Sequence, residues 1–354
     1  FEPDRIAVVK PGLESIEGCR CYPEIASLPG TVDLLIVSVS ADQAPAVLEE
    51  TIDHRRAETV ILIPGGLDEK SGSEHIADRI RRSLDESRET DWGGPLVNGG
   101  NCLGIRSRPG RYDTFFLPDY KMPSFEAEQG NVALLAQSGA FLASKSSKLP
   151  GLGVRYAISI GNQIDLTVGD YLTYLTDDEK VDLFAVYVEG FRDLDGRRFF
   201  DAARRITSSG RKVVLYRAGR SGSGVEAAAS HTAAVAGSYR TTRSLARGAG
   251  VLMADTLADF EDLLLLHSTL KGRSFGARRV GAVSNAGYEC VALWDGLGQL
   301  RPATFSPETC QALSEIFRAS RIDGVVDVRN PLDLTPIVQD AEYEAAARVV
   351  LQDP

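Results

Sequence analysis

Basic charge is in deficit in this chain: 39 Lys and Arg stand against 49 Asp and Glu, a formal net charge of −10 over 354 residues. A protein held on nucleic acid by phosphate contacts carries the opposite excess, so that class is disfavoured. A small anionic ligand needs only a local positive site and remains allowed. Long apolar runs are missing too, and none approaches the ~18 residues of a transmembrane helix, so no membrane partner is expected. Cysteine is sparse and unpatterned. Cys19, Cys21, Cys102, Cys290 and Cys310 are odd in number, and no second close pair completes a zinc signature. Reduced thiols in a cytoplasmic protein, with no metal on this chain, are the expectation. The first residue is Phe1, with no signal peptide before it, and the chain opens directly on a strand. An N-terminal piece is therefore expected to be missing. No Gly-x-Gly-x-x-Gly opens the first unit, which disfavours a dinucleotide-dependent oxidoreductase.

What is present is ordinary globular material: 43% hydrophobic and 25% charged residues, in a chain long enough for two or three domains, each with its own core. Apolar runs at 5–9, 32–39 and 59–63 read as strands, with helical patterns at 44–56 and 75–88 and a further strand at 96–98. Strands alternating with helices predict an α/β fold with mainly parallel sheets, whose ligands sit at the carboxyl ends of the strands. The loops at those ends are 38–41, 63–66 and 99–104. Residues 105–129 show no clear period and read as a linker with an aromatic anchor. A second α/β unit starts with the run 131–136 and continues with strands at 157–162, 182–188 and 212–216 and a helix over 256–270. Lys271-Gly272-Arg273 marks a boundary, and a third unit opens at 279–283.

Histidine is scarce, with only His54, His75, His231 and His267. His231 alone is ringed by residues too small to cover it, in Ala229-Ser230-His231-Thr232-Ala233-Ala234-Val235-Ala236-Gly237. That leaves room for a group as large as a phosphoryl, and neutral imidazole is a good nucleophile. A tolerated loop histidine is the plain alternative. Gln137-Ser138-Gly139-Ala140 and Ser284-Asn285-Ala286-Gly287 each join a strand to a helix start, where free N–H groups and the helix dipole suit an anion. Such turns are common, so each alone is a weak signal. Glu189 ends a strand; it is either solvated or the partner that orients a histidine ring. Arg217 and Arg220 lie in a Gly/Ser-rich stretch and either steady phosphate or, by a small margin, face water.

Taken in order, Asn101-Cys102-Leu103-Gly104, Gln137-Ser138-Gly139-Ala140, Ser159-Ile160-Gly161-Asn162-Gln163-Ile164-Asp165, Tyr187-Val188-Glu189-Gly190 and Ser230–Gly237 resemble the motifs of NDP-forming acyl-CoA synthetases, relatives of the succinyl-CoA synthetase alpha subunit. The resemblance covers nearly the whole chain, and Asn330-Pro331-Leu332-Asp333-Leu334 resembles a later motif. Two departures stand out. Ala233 replaces a glycine after the His-Thr pair, and Gly12 and Leu13 stand where a lysine is usual.

The resemblance implies a Rossmann-like CoA-binding domain at 1–122, lacking its first strand and glycine-rich turn. Two flavodoxin-like, succinyl-CoA synthetase-like parallel-sheet domains follow: 123–272 with the phosphohistidine loop, and 273–354, incomplete. It implies an ADP-forming acid–thiol ligase that makes acyl-CoA from a carboxylic acid, CoA and ATP through phosphohistidine and acyl phosphate. His231 would carry the phosphoryl group and Glu189 would orient it. Ser138, Gly139, Ala140, Gly161, Asn162, Ser284, Asn285, Ala286 and Gly287 would bind phosphate. Lys10, Pro11, Ser38, Val39, Ser40, Ile63, Pro64, Gly65, Asn101 and Cys102 would hold CoA. ATP/ADP and Mg²⁺ would sit mainly on an ATP-grasp domain not found in this chain, as a further segment or a partner subunit of an oligomer. Two rivals share the fold: a non-catalytic CoA- or acyl-CoA-sensing module, and an ATP-dependent lyase using the same chemistry.

Overall fold

The computed structural model describes residues 2–69, 72–118, 120–122, 130–149, 151–224, 237–273 and 278–354. The chain divides into two compact units, Phe1–Lys271 and Gly272–Pro354. The first opens with a small sheet in which β1 (Ala7–Val9) pairs in parallel with β3 (Cys19–Tyr22), and β2 (Ser15–Ile16) pairs antiparallel with β3. The strand expected at 5–9 therefore exists, but its described partner is a short ribbon rather than the parallel sheet that follows.

That sheet has the order β4-β5-β6, from β4 (Val32–Val37), β5 (Ala57–Leu62) and β6 (Leu96–Gly99), all parallel. The connecting helices α1 (Ala44–Asp53) and α2 (Glu74–Arg88) are amphipathic. Leu48 from α1 and Ala77, Ile80 and Leu84 from α2 pack with Val37, Val60, Leu62 and Val97 in one core.

The second sheet is built from β7 (Ile105–Ser107), β8 (Tyr112–Asp113), β9 (Val132–Ala136), β10 (Val154–Ser159), β11 (Leu183–Val188), β12 (Lys212–Arg217) and β13 (Leu252–Ala254), in the order β13-β12-β11-β9-β10-β7-β8. Its five long-connection strands are parallel. Every residue of Val132-Ala133-Leu134-Leu135-Ala136 is buried because both faces of β9 are covered. Ala133 and Leu135 join Phe184, Val186 and Phe199 beneath α4 (Val168–Leu175) and α5 (Asp195–Ser208). Val132, Leu134 and Ala136 join Leu142 of α3 (Gly139–Lys148) on the other face, with Phe260 and Leu264 of a later helix.

The expected linker at 105–129 is corrected by this sheet. β7 and β8 add to it antiparallel at the β10 edge. Strands of two and three residues show no alternation of their own, and Arg106 and Asp113, which form an ion pair at 2.5 Å, disguise them as loop. Within the unit, segment 162–166 runs along the free edge of β6, with Asn162 N donating to Gly100 O at 2.8 Å, Ile164 N to Gly99 O at 2.8 Å and Leu166 N to Val97 O at 3.0 Å.

After α6 (Tyr239–Gly248) and α7 (Leu257–Thr269), the second unit begins. Its strands β14 (Arg279–Val280), β15 (Val283–Ser284), β16 (Arg301–Pro302) and β17 (Leu332–Asp333) form two parallel pairs, β14–β16 and β15–β17. With α8 (Gly287–Asp295), α9 (Pro307–Ala319) and α10 (Asp340–Leu351), they enclose a core of Leu313, Phe317, Leu332, Leu334 and Ala346. No helix among the described residues is long and apolar enough to cross a membrane.

Candidate functional site

Three parallel neighbours, β4, β5 and β6, end at Val37, Leu62 and Gly99, so their following loops share one edge. Ser38, Val39 and Ser40 are exposed there, and the Ser40 hydroxyl donates to Gln43 Oε1 at 2.9 Å. Ile63 N donates to Val37 O at 3.1 Å, and Asn101 N to Pro64 O at 2.8 Å, which brings all three loops into register. Gly65 and Asn101 are exposed on this edge. A Cβ on Gly65 would stand 3.0 Å from Asn101 Oδ1, so only a glycine leaves that carboxamide uncrowded.

Three of the residues expected to hold a ligand here, Lys10, Pro11 and Cys102, are not among the exposed residues of these loops. The Cys102 side chain is only 3% exposed, its Sγ faces Leu62 O at 3.4 Å and receives Asn98 Nδ2 at 3.4 Å, and burial pushes its thiol up to about 12. It packs the base of the loop. Lys10 and Pro11 follow β1, whose described strand partner is β3, and Lys10 N donates to Tyr22 O at 2.8 Å. The parallel sheet itself does not carry them to this edge.

The second sheet has its own carboxyl edge, where β9, β10, β11 and β12 end side by side. Ser138 caps α3 by accepting Phe141 N at 3.2 Å, and Leu142 N returns to Ser138 O at 3.2 Å. The Gly139 and Ala140 N–H groups, first in the helix, have no intrahelical acceptor and face the anion-favouring end of the dipole. On the adjacent strand, Glu189 follows β11. Its Oε1 accepts the Tyr187 hydroxyl at 3.0 Å, while its Oε2 is buried without a hydrogen-bond partner. A carboxylate oxygen left so is costly unless a donor arrives. Burial, the Glu189 charge and its hydrogen bond together raise the Tyr187 phenol above its ordinary value. His231 lies outside the described residues.

Gln137, between β9 and Ser138, is 4% exposed. Its Oε1 accepts the Glu189 N–H and, at 3.1 Å, the Gly190 N–H, so it fixes the backbone that presents Glu189. Its place in a motif is visible in the sequence, but its partner 52 residues away is not.

Gly161 and Asn162, expected to bind phosphate, are engaged within the protein. Asn162 N is spent on Gly100 O, its Nδ2 donates to Asp68 Oδ1 at 2.6 Å, and its O accepts Arg192 Nη2 at 2.6 Å. Gly161, at φ +65°, would place a Cβ 1.9 Å from Gly100 O. This turn docks the second sheet onto the loop of the first. Asp68, also bound by Arg81 at 2.7 Å, is the acceptor that the sequence reading missed.

The Ser284–Gly287 turn is also corrected. The Ser284 hydroxyl donates to Glu289 Oε2, and a Cβ on Gly287 would lie 2.9 Å from Asp333 Oδ2. Two carboxylates at this helix start repel the anion it was expected to hold. Ala286 N is turned to Ser284 Oγ at 3.2 Å. Of the two arginines, Arg220 faces water, but Arg217 is 2% exposed and donates Nη2 to Gly237 O at 2.6 Å and Nη1 to Ala218 O.

The two edges meet. Leu103 N donates to Ser159 Oγ at 2.9 Å and Ser159 N to Gly104 O at 3.0 Å. A Cβ on Gly139 would stand 3.0 Å from Leu103 Cβ. The loop after β6 thus lies against both the α3 start and the end of β10. The first edge therefore borders the anion-favouring end of α3.

Sequence profiles match two families: "CoA binding domain" over residues 3–108 and "Succinyl-CoA ligase like flavodoxin domain" over 129–266. The chain is 30% identical to the ADP-forming acetate–CoA ligase II subunit alpha of Pyrococcus furiosus, covering 100% of this chain and 73% of that one. It is 32% identical to the ADP-forming acetate–CoA ligase I of Archaeoglobus fulgidus, covering 98% of this chain but 48% of that protein, so it spans about half that relative's length. Among solved structures, acetyl-coenzyme A synthetase 1 of Candidatus Korarchaeum cryptofilum, in complex with phosphate and ADP, superimposes with a TM-score of 0.78 at 26% identity, over 98% of this chain and 71% of that chain. With ordered motifs, paired parallel sheets and a relative matched over the whole of this chain all in agreement, the chain belongs to the ADP-forming acyl-CoA ligase family.

Proposed function

We propose that this chain carries the CoA and phosphoryl-relay sites of an acid–CoA ligase that forms ADP. The observation that carries the reading is the junction of Leu103 with Gly139 and Ser159, which sets a ligand edge of one sheet against the anion-favouring helix start of the other. The domain division is 1–122, 123–272 and 273–354. The exposed hydroxyls of Ser38 and Ser40, the bare Gly65 and the Asn101 amide fit a long polar ligand such as CoA, which supplies the thiol nucleophile. ADP and phosphate in the Korarchaeum complex, and the name of the Pyrococcus alpha subunit, favour a nucleotide site on an ATP-grasp domain or subunit. Mg²⁺ belongs with that nucleotide, and the working form is an oligomer in the cytoplasm.

In this reading the His231 imidazole attacks the γ-phosphorus of ATP and ADP leaves. A substrate carboxylate oxygen then takes the phosphoryl group, restoring neutral imidazole. The CoA thiolate attacks the acyl carbonyl, phosphate leaves, and acyl-CoA remains. Glu189 Oε2, buried and unpartnered, accepts the ring N–H and keeps the other nitrogen nucleophilic. The Gly139 and Ala140 N–H groups stabilise charge on the moving phosphoryl.

The test is to incubate the complete protein, with its nucleotide-binding part, with γ-labelled ATP and Mg²⁺. Acid-labile, base-stable label that is lost in His231→Asn and at least ~100-fold slower in Glu189→Gln is the expected result. Label retained in His231→Asn removes the assignment.

A further inference from the structure

Gln137 is one of the buried polar side chains left half-satisfied. Its amide oxygen is fully used, accepting the N–H groups of Glu189 and Gly190. That fixes the orientation of the amide, because an NH₂ group cannot accept from two donors. Its Nε2 is buried and has no hydrogen-bond partner, in a side chain that is 96% buried by its 4% exposure. On the neighbouring strand, Glu189 Oε2 is buried and unpartnered as well. One orphan is a donor and the other an acceptor, and both stand at the carboxyl edge beside the α3 start. Few buried polar groups stay unpaired, and a donor and an acceptor left so on adjacent strands at a ligand edge are explained by a ligand that completes both. A protonated ring nitrogen completes the acceptor. The donor calls for an acceptor oxygen, and in a site that handles phosphoryl groups a phosphoryl oxygen is one.

We infer that Gln137 is a two-handed residue of the relay, whose oxygen positions Glu189 and whose Nε2 donates to an oxygen of the transferring phosphoryl group. The inference rests on the phosphohistidine reading above and adds a residue to it. The helix start and Gln137 then bind the same anion from two sides. Ser138 follows Gln137 directly, and Gln137 N donates to Tyr187 O at 3.2 Å, holding the amide between β9 and β11. No atom of Gln137 reacts.

Gln137→Glu isolates the donor half. One carboxylate oxygen still accepts the two N–H groups, while the other replaces a donor with negative charge. Protonating that carboxyl restores an O–H donor. In the complete protein with γ-labelled ATP and Mg²⁺, label on the variant forms about 100-fold more slowly than on wild type at pH 8, the usual scale for loss of one such donor. Between pH 8 and pH 5.5, with alkaline quenching to preserve label, the ratio of variant to wild-type rate climbs as the carboxyl takes up its proton. A purely structural role does not predict that climb.

Gln137→Met keeps the volume and drops both hydrogen-bonding functions. With its CoA-induced rise in thermal midpoint intact, it labels at least ~100-fold slower at every pH. A flat ratio for Gln137→Glu, or a labelling rate within threefold of wild type for folded Gln137→Met, overturns the inference while the phosphohistidine reading stands. Absence of acid-labile label in the wild type overturns both.

Discussion

The side-chain amide of Asn162 donates to Asp68 Oδ1 at 2.6 Å, tying the turn after β10 to the loop after β5. Asp68 also receives Arg81 Nη2 at 2.7 Å and lies 3.6 Å from Arg192 Nη2, so a buried carboxylate is matched by three donors from both sheets. Asn162→Ala strands one carboxylate oxygen and is expected to lower unfolding free energy by about 1–3 kcal/mol. Because the Asp68 loop begins at Pro64 and Gly65, the same variant loses part of the thermal stabilisation given by CoA. Urea denaturation with and without CoA measures both effects.

Glycine is required at 161 by geometry. Gly161→Ala places a methyl 1.9 Å from Gly100 O and forces φ +65° on alanine, and the expected cost is 3 kcal/mol or more by the scale of overpacking plus backbone strain, roughly. Gly139→Ala meets Leu103 Cβ at 3.0 Å, which can give slightly, so stability falls by about 1 kcal/mol or less. Gly222→Ala meets nothing within 4 Å and serves as the neutral control. Thermal midpoints rank the three.

Arg217 ties the two ends of the 218–237 stretch by donating to Ala218 O and Gly237 O. Burial lowers its guanidinium below the ordinary value, opposed by Tyr239. Arg217→Met removes the tie and a costly buried charge together. The expected outcome is an unchanged far-ultraviolet circular dichroism spectrum, with phosphoryl label slowed by about 100-fold, the scale of a small misplacement of a reacting group. Arg217→Lys, which reaches one carbonyl at best, falls between.

Asp195 offers a pH test. Burial raises its carboxyl above the ordinary value, outweighing the hydrogen bonds from the Thr167 hydroxyl at 2.5 Å and Gly169 N at 3.1 Å. The folded state therefore binds this proton more tightly than the unfolded chain does. The stabilising contribution is full below the unfolded value, about 3.9, and is lost as pH rises through the higher folded value. Asp195→Asn keeps an acceptor for both donors and removes the charge. Its midpoint at pH 7 should equal or exceed wild type, and wild type should gain on it as pH falls toward 4.5. Asp195→Ala strands both donors and loses about 1–3 kcal/mol at either pH. Calorimetry across that range decides.

Legibility of the fold followed the length of its apolar runs. β4, β9 and β11 are five or six residues rich in Val, Leu, Ile, Ala and Phe, and they read directly as parallel strands, of which β9 and β11 are buried along nearly their whole length. β7 and β8 carry Arg106, Ser107 and Asp113 in five residues, and only pairing with β10 makes them strands. The site divided in the same way. The places of Ser138, Gly139 and Glu189 at strand ends and a helix start were legible because residue type and the run before them suffice for that. Asn162 was misread because a turn Asn beside Gly looks alike whether it meets a ligand or a distant carboxylate. Ser284 was misread because the acid that occupies its hydroxyl, Glu289, is a helix-start residue like many others. Gln137 has a partner far along the chain, and a lone glutamine gives no local sign of it.

Segment 162–166 covers the margin of β6 mainly through main-chain bonds, to which the Asp165 carboxylate adds one by accepting Val97 N at 2.8 Å. A margin shielded in this way tolerates wide side-chain substitution during divergence, yet depends wholly on the downstream chain being present. Residues 1–122 produced alone would bare the amides and carbonyls of β6, inviting another copy to add there and form higher-order assemblies.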